Sequence, residues 1–153
     1  MKSLLTICLL TVALTGSGCA TFGRRNRDWY SGPEEYRQAV EDAINAAIHN
    51  LSPVVGRQLK WDWGRDRIEV RMVQPDGVSQ GHPYFRRTIG GHTIVAHGRA
   101  IPGQIMLPHG FGRGTLRHEV AHAVLFANGN TDVDYHHSLE YFRRNIRGNV
   151  WNQ

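Results

Sequence analysis

The chain has 153 residues, enough for one domain of ordinary size with a core of its own. Hydrophobic residues make up 41% of it, which fits a soluble globular class and excludes a polytopic membrane protein. The net charge is +5, and the arginines that dominate it are scattered, so the charge reads mainly as solvated faces.

Lys2 gives a positive start, residues 4–14 form an apolar run, and small residues lead to Cys19. As a helix that run rises about 16 Å, roughly half of a bilayer's hydrocarbon core, so it is too short to span one. A charged start, a short apolar stretch and then small residues describe an export signal over residues 1–18. Leu14-Thr15-Gly16-Ser17-Gly18-Cys19 resembles the bacterial lipoprotein signal, with Gly16 where such signals usually carry Leu. The resemblance implies a lipid on the Cys19 thiol and a membrane contact through that lipid. With Ala20 next in the chain, it implies an envelope location on the outer membrane, facing the periplasm. Each buried methylene of the acyl chains contributes about 0.8 kcal/mol, so several chains anchor firmly. Cys8 lies inside the removed stretch, so the mature chain has no internal disulfide.

Residues 19–32 read as the lipidated cysteine followed by a polar, aperiodic linker, and residues 33–153 as the domain. A helix is predicted over residues 33–50. Ser31 and Glu34 form a capping-box pattern, and Tyr36, Val40, Ala43, Ile44, Ala47, Ile48 and Leu51 recur at helical spacing. Ser52-Pro53 closes it. Alternation predicts a half-buried strand over residues 68–73, with a turn at Pro75-Asp76-Gly77. Gly90-Gly91 separates two further strands, residues 84–89 and 92–96. Residues 101–107 read as one strand interrupted by Pro102 and Gly103, which confines it to a sheet edge. After a glycine-rich loop, a second helix is predicted over residues 115–128 with Gly129 as its cap. A loop over residues 130–134 and a last helix over residues 138–147 follow. This order gives an α+β fold, a small mixed sheet packed on an N-terminal helix and on the second helix.

The second helix carries His118-Glu119-Val120-Ala121-His122. At about 100° per residue, His122 lies roughly 40° and Glu119 roughly 100° round from His118. Two imidazoles one turn apart on one face can hold one Zn²⁺. Glu119 can then reach a water on the metal without binding the metal, as a general base. Leu116, Val120, Ala123, Val124 and Ala127 fall on the far side, so one face packs on the core and the other lines a cleft. A catalytic zinc site needs a third protein ligand, and His136, His137 and Glu140 all follow the turn after the helix. Asp132 and Asp134 are candidate hydrogen-bond partners of the ligating histidines. Tyr135 is a candidate donor to a developing oxyanion. His82, His92, His97 and His109 fit no ligand spacing.

These residues together resemble the SprT-like (Spartan) zincin metallopeptidases. The features that match are the Thr115-Leu116 lead-in, His118 to His122, Ala123, Leu125-Phe126, the Asn- and Asp-rich stretch over residues 128–134, and His137-Ser138-Leu139-Glu140 followed by an aromatic. The resemblance implies a minimal zincin-like metallopeptidase with His118, His122 and His137 as zinc ligands and Glu119 as catalytic base. His136 stands where that family commonly has Gly. The substrate implied is a protein or peptide, its backbone added to a sheet edge as an extra strand. The cysteine-rich ribbon or DNA-binding part of many members has no counterpart here, so no nucleic-acid partner is expected. Two other readings use the same residues: a metal-binding structural lipoprotein without turnover, and an envelope amidase acting on peptidoglycan peptides.

Overall fold

The structure is a computed structural model that describes residues 27–89 and 91–142. The predicted export signal, Cys19 and the C-terminal part of the predicted last helix lie outside the described residues. The elements in chain order are β1 (Tyr30–Ser31), α1 (Arg37–Leu51), β2 (Ile68–Val73), β3 (Gly77–Ser79), β4 (His82–Ile89), β5 (His92–Ala96), β6 (Arg99–Ile101), β7 (Gln104–Pro108), α2 (Arg113–Ala127) and α3 (Val133–Ser138). The architecture is α+β. One sheet has the order β1-β2-β7-β6, with β1, β2 and β7 parallel and β6 antiparallel at the edge. A separate antiparallel sheet has the order β3-β4-β5.

Alternation on the larger sheet decides what it buries. Ile68 and Val70 of β2 and Ile105 and Leu107 of β7 point into the core, while Glu69 between them is exposed. On the other side of that core, α1 presents Val40, Ala43, Ile44, Ala47 and Leu51, at the spacing of one helix face. α2 packs on α1 and crosses β6 and β7. Each fully buried Ile or Leu in this layer stabilises the fold by about 1.5–3 kcal/mol relative to exposure. Glu34, expected to reach back and complete a capping box, instead pairs with Arg37 at 2.7 Å.

Two expectations change. Residues 101–107 are not one edge strand but a tight hairpin. Pro102 sits in the turn, where its fixed φ is an asset, and Gly103 takes φ 77. Freed of the proline, Gln104–Pro108 becomes an inner strand, and the edge passes to Arg99–Ile101. The folded body also begins before Pro33. Trp29 and Tyr30 are buried, with Trp29 edge-on to Trp63 at 4.9 Å, and β1 pairs with β2. The aromatic pair in the polar stretch was the sign that this segment docks.

Candidate functional site

The site is built by a sharp reversal after α2. Gly129 takes φ 79, its N–H donates to the Phe126 carbonyl at 2.9 Å, and the Asn130 N–H donates to the Leu125 carbonyl at 3.0 Å. This pair of bonds closes the helix in the Schellman pattern, which only a left-handed residue permits. Asn128 clamps the reversal to the body, accepting from the Lys60 N–H at 3.0 Å and donating to the Lys60 carbonyl at 2.8 Å. Asp132 then starts α3 by accepting from the Tyr135 N–H at 3.0 Å, an N-cap. α3 thereby starts inside the loop expected over residues 130–134 and ends at Ser138, where the last helix is predicted to begin, and it returns His136 and His137 to α2.

His118 and His122 lie one turn apart with ring centroids at 4.8 Å, and His137 faces both from α3. Their Nε2 atoms form a triangle: 3.2 Å from His122 to His118, 3.1 Å from His122 to His137, and 3.4 Å from His137 to His118. An ion held tetrahedrally by imidazole nitrogens at about 2.0–2.1 Å would separate those nitrogens by about 3.3–3.4 Å. The donor set thus fits a divalent metal. Hydrogen bonds alone do not account for the triangle, because each neutral ring carries a single N–H. With His118 Nε2 turned to the triangle, its Nδ1 is buried without a hydrogen-bond partner among the described residues. That orientation costs about 1–3 kcal/mol and needs a reason outside the protein's own bonds. Phe142, fully buried, floors the site, its ring 4.5 Å from that of His122 and 5.1 Å from that of His118.

Electrostatics also suits a cation. Burial lowers His118 to about 4 and His122 to about 2, and neighbouring imidazoles add to the effect, so both rings are uncharged at pH 7, the form that can ligate a metal. Glu119 is buried, and this raises its carboxyl to about 8, against a lowering by the Arg87 charge. A dication at the triangle would add to the lowering and favour the carboxylate. Gly98, just before β6, is the seat of this side chain: a Cβ built there would come 2.5 Å from Glu119 Oε1 and 2.7 Å from Cγ. The glycine is required by close approach, since its φ is not positive. Arg87 comes from β4, on the inward face it shares with buried Pro83 and Phe85.

The structure therefore brings together His118, His122 and His137, with Glu119 one residue along the same helix. The other predicted residues fall elsewhere. His136 stands behind His122, Nδ1 to Nδ1 at 2.8 Å, rather than in the triangle. Glu140 is exposed and outside the cluster. Tyr135 is 37% exposed, and among the described residues its ring meets that of His136, at 6.4 Å. Asp132 spends its carboxylate on the cap of α3, the turn-forming role of Asp, and Asp134 is exposed. Sequence reasoning missed Gly98, Arg87 and the flooring role of Phe142, none of which has a local pattern that announces it. Comparison with protein-family models, with curated proteins and with solved structures returns no match.

Proposed function

We propose that this protein is a zinc-dependent endopeptidase of the SprT-like zincin type, held on a bacterial envelope by a lipid on Cys19. The observation that supports it most is the triangle of Nε2 atoms at 3.1–3.4 Å beside a buried carboxyl on the same helix. His118, His122 and His137 would hold the zinc, with His137 on the exposed side where water and substrate enter. When bound, zinc supplies Lewis acidity toward a water and toward the scissile carbonyl. Glu119 takes a proton from that water as its oxygen bonds to the carbonyl carbon. It then gives the proton to the amide nitrogen as the C–N bond breaks, leaving a carboxylic acid and an amine. Arg87, the cation whose charge acts on Glu119, would favour the carboxylate form that takes the proton. The edge strand β6 runs beside α2, and an extended peptide paired along it would lie next to Glu119. Tyr135 receives no step.

Metal analysis and casein digestion test the proposal. The purified protein should carry close to one zinc per chain and cleave casein. Glu119→Gln should keep the zinc and lose roughly 10²–10⁴-fold in rate, the span of general base catalysis. His137→Ala should lose the zinc. A wild-type protein without affinity for zinc, or a Glu119→Gln variant that cleaves as fast as wild type, would overturn the reading. Zinc uptake with neither casein nor purified peptidoglycan cut would favour a binding role without turnover.

A further inference from the structure

Behind the triangle lies a second, fully buried histidine that the zinc reading leaves without a task. His136 has no solvent exposure and is packed between Phe126, at 5.2 Å, and the Phe142 ring, inclined 13° to its own at 6.1 Å. Both of its nitrogens are engaged. Nε2 lies 3.1 Å from the Asn130 carbonyl oxygen and 3.2 Å from Asn130 Oδ1, while Nδ1 lies 2.8 Å from His122 Nδ1.

Bond chemistry orders these contacts in one direction. A carbonyl oxygen only accepts, so His136 Nε2 must donate. Asn130 Oδ1 is itself fixed as an acceptor, because it receives the Asp132 N–H at 3.2 Å. A neutral imidazole has one N–H, so His136 Nδ1 is a bare acceptor. Full burial disfavours the imidazolium as an alternative; the Asp132 charge works against this, but no hydrogen bond joins its carboxylate to the ring among the described residues. The proton between the two Nδ1 atoms therefore belongs to His122. Its Nε2 is left as a lone pair aimed at His118 and His137.

We propose that His136 is a positioning residue that fixes His122 in the Nδ1–H tautomer and orients its Nε2 toward a metal ion, relaying the hydrogen bond of the Asn130 carbonyl through an uncharged ring. It rests on the metal reading above. Ligating histidines usually donate to a carboxylate or a carbonyl directly. Here an imidazole stands in series with the carbonyl, which sets the tautomer without adding negative charge to the site.

The test combines zinc affinity, by competition with a chromophoric chelator, with ring-nitrogen NMR of the ¹⁵N-labelled full chain. In wild type, NMR should show His122 protonated at Nδ1 and His136 at Nε2 only, and zinc should shift the Nε2 signals of His118, His122 and His137. His136→Phe should fold, as shown by dispersed amide spectra, and bind zinc about 10–100-fold more weakly. His136→Asn places an oxygen near the Nδ1 position and should bind close to wild type. His136→Gln reaches Asn130 but lacks that acceptor, so it should be as weak as Phe. A merely space-filling role predicts the reverse order, with Gln and Phe better than Asn. Wild type that binds zinc with His136 protonated at Nδ1, or His136→Phe binding as tightly as wild type, overturns this proposal alone. Wild type with no affinity for zinc overturns the metal reading, and this proposal with it.

Discussion

At the scale of single residues, Gly98 and Glu119 form a pair that only a structure reveals. Nothing in the sequence around Gly98 marks a turn, and its need is set by a side chain from a distant helix. Gly98→Ala puts a methyl group 2.5 Å from Glu119 Oε1 and 2.8 Å from Cδ, and the buried carboxyl has little room to retreat. Overpacking of this kind costs about 1–3 kcal/mol. The variant should lose stability by that amount in urea unfolding, keep its zinc, and hydrolyse substrate more slowly. In a Glu119→Ala background the same substitution should cost little, because the clashing atoms are gone. Additive costs in that double-mutant cycle would show that the contact is not the cause.

Elements explain what was legible. Ile68–Val73 and the core face of α1 follow directly from their periods, and the HExxH spacing on α2 placed two imidazoles on one face before any coordinates. What stayed hidden is whatever depends on chain reversal. Pro102-Gly103 reads as an interruption along the chain and as a hairpin turn in space. α3 is six residues long, too short to show a period, and it exists because Asp132 caps it and Gly129 delivers the chain there. His136 and His137 are adjacent in sequence, so only the placement of that helix tells which one faces the triangle. The cap is accordingly part of the site. Asp132→Ala should cost about 0.5–2 kcal/mol of local stability and weaken zinc binding, with amide exchange faster over α3 but not over α2. Unchanged protection across α3 would count against this.

For the whole molecule, metal and pH act on different ends of the fold. A ligand that binds only the native state stabilises it by about 4 kcal/mol at a thousandfold excess over its Kd. Zinc should raise the urea midpoint accordingly and a chelator should reverse the gain, whereas a His118→Ala, His122→Ala variant should show neither response. Tyr30 sits at the other end, donating to the Pro33 carbonyl at 2.6 Å. Burial pushes its hydroxyl up to about 12, partly opposed by the Arg37 charge. An unfolded tyrosine ionises near pH 10, so between about pH 10 and 12 the unfolded chain releases this proton and the folded one retains it. Stability should therefore fall as pH rises through that window, and Tyr30→Phe should flatten the decline in a urea-midpoint series.

One feature of the layout reaches beyond any single variant. The three imidazoles and the relay behind them are encoded in one unbroken stretch from His118 to His137, whereas Arg87 and Gly98, which border the carboxyl, come from the excursion between β2 and β7. Lengthening or trimming the β4–β5 hairpin tip leaves the imidazole donors untouched. On the proposed reading, grip on an ion and the surroundings of the carboxyl are thus encoded in separate stretches of the chain, and substitutions in the excursion would alter the second without touching the first.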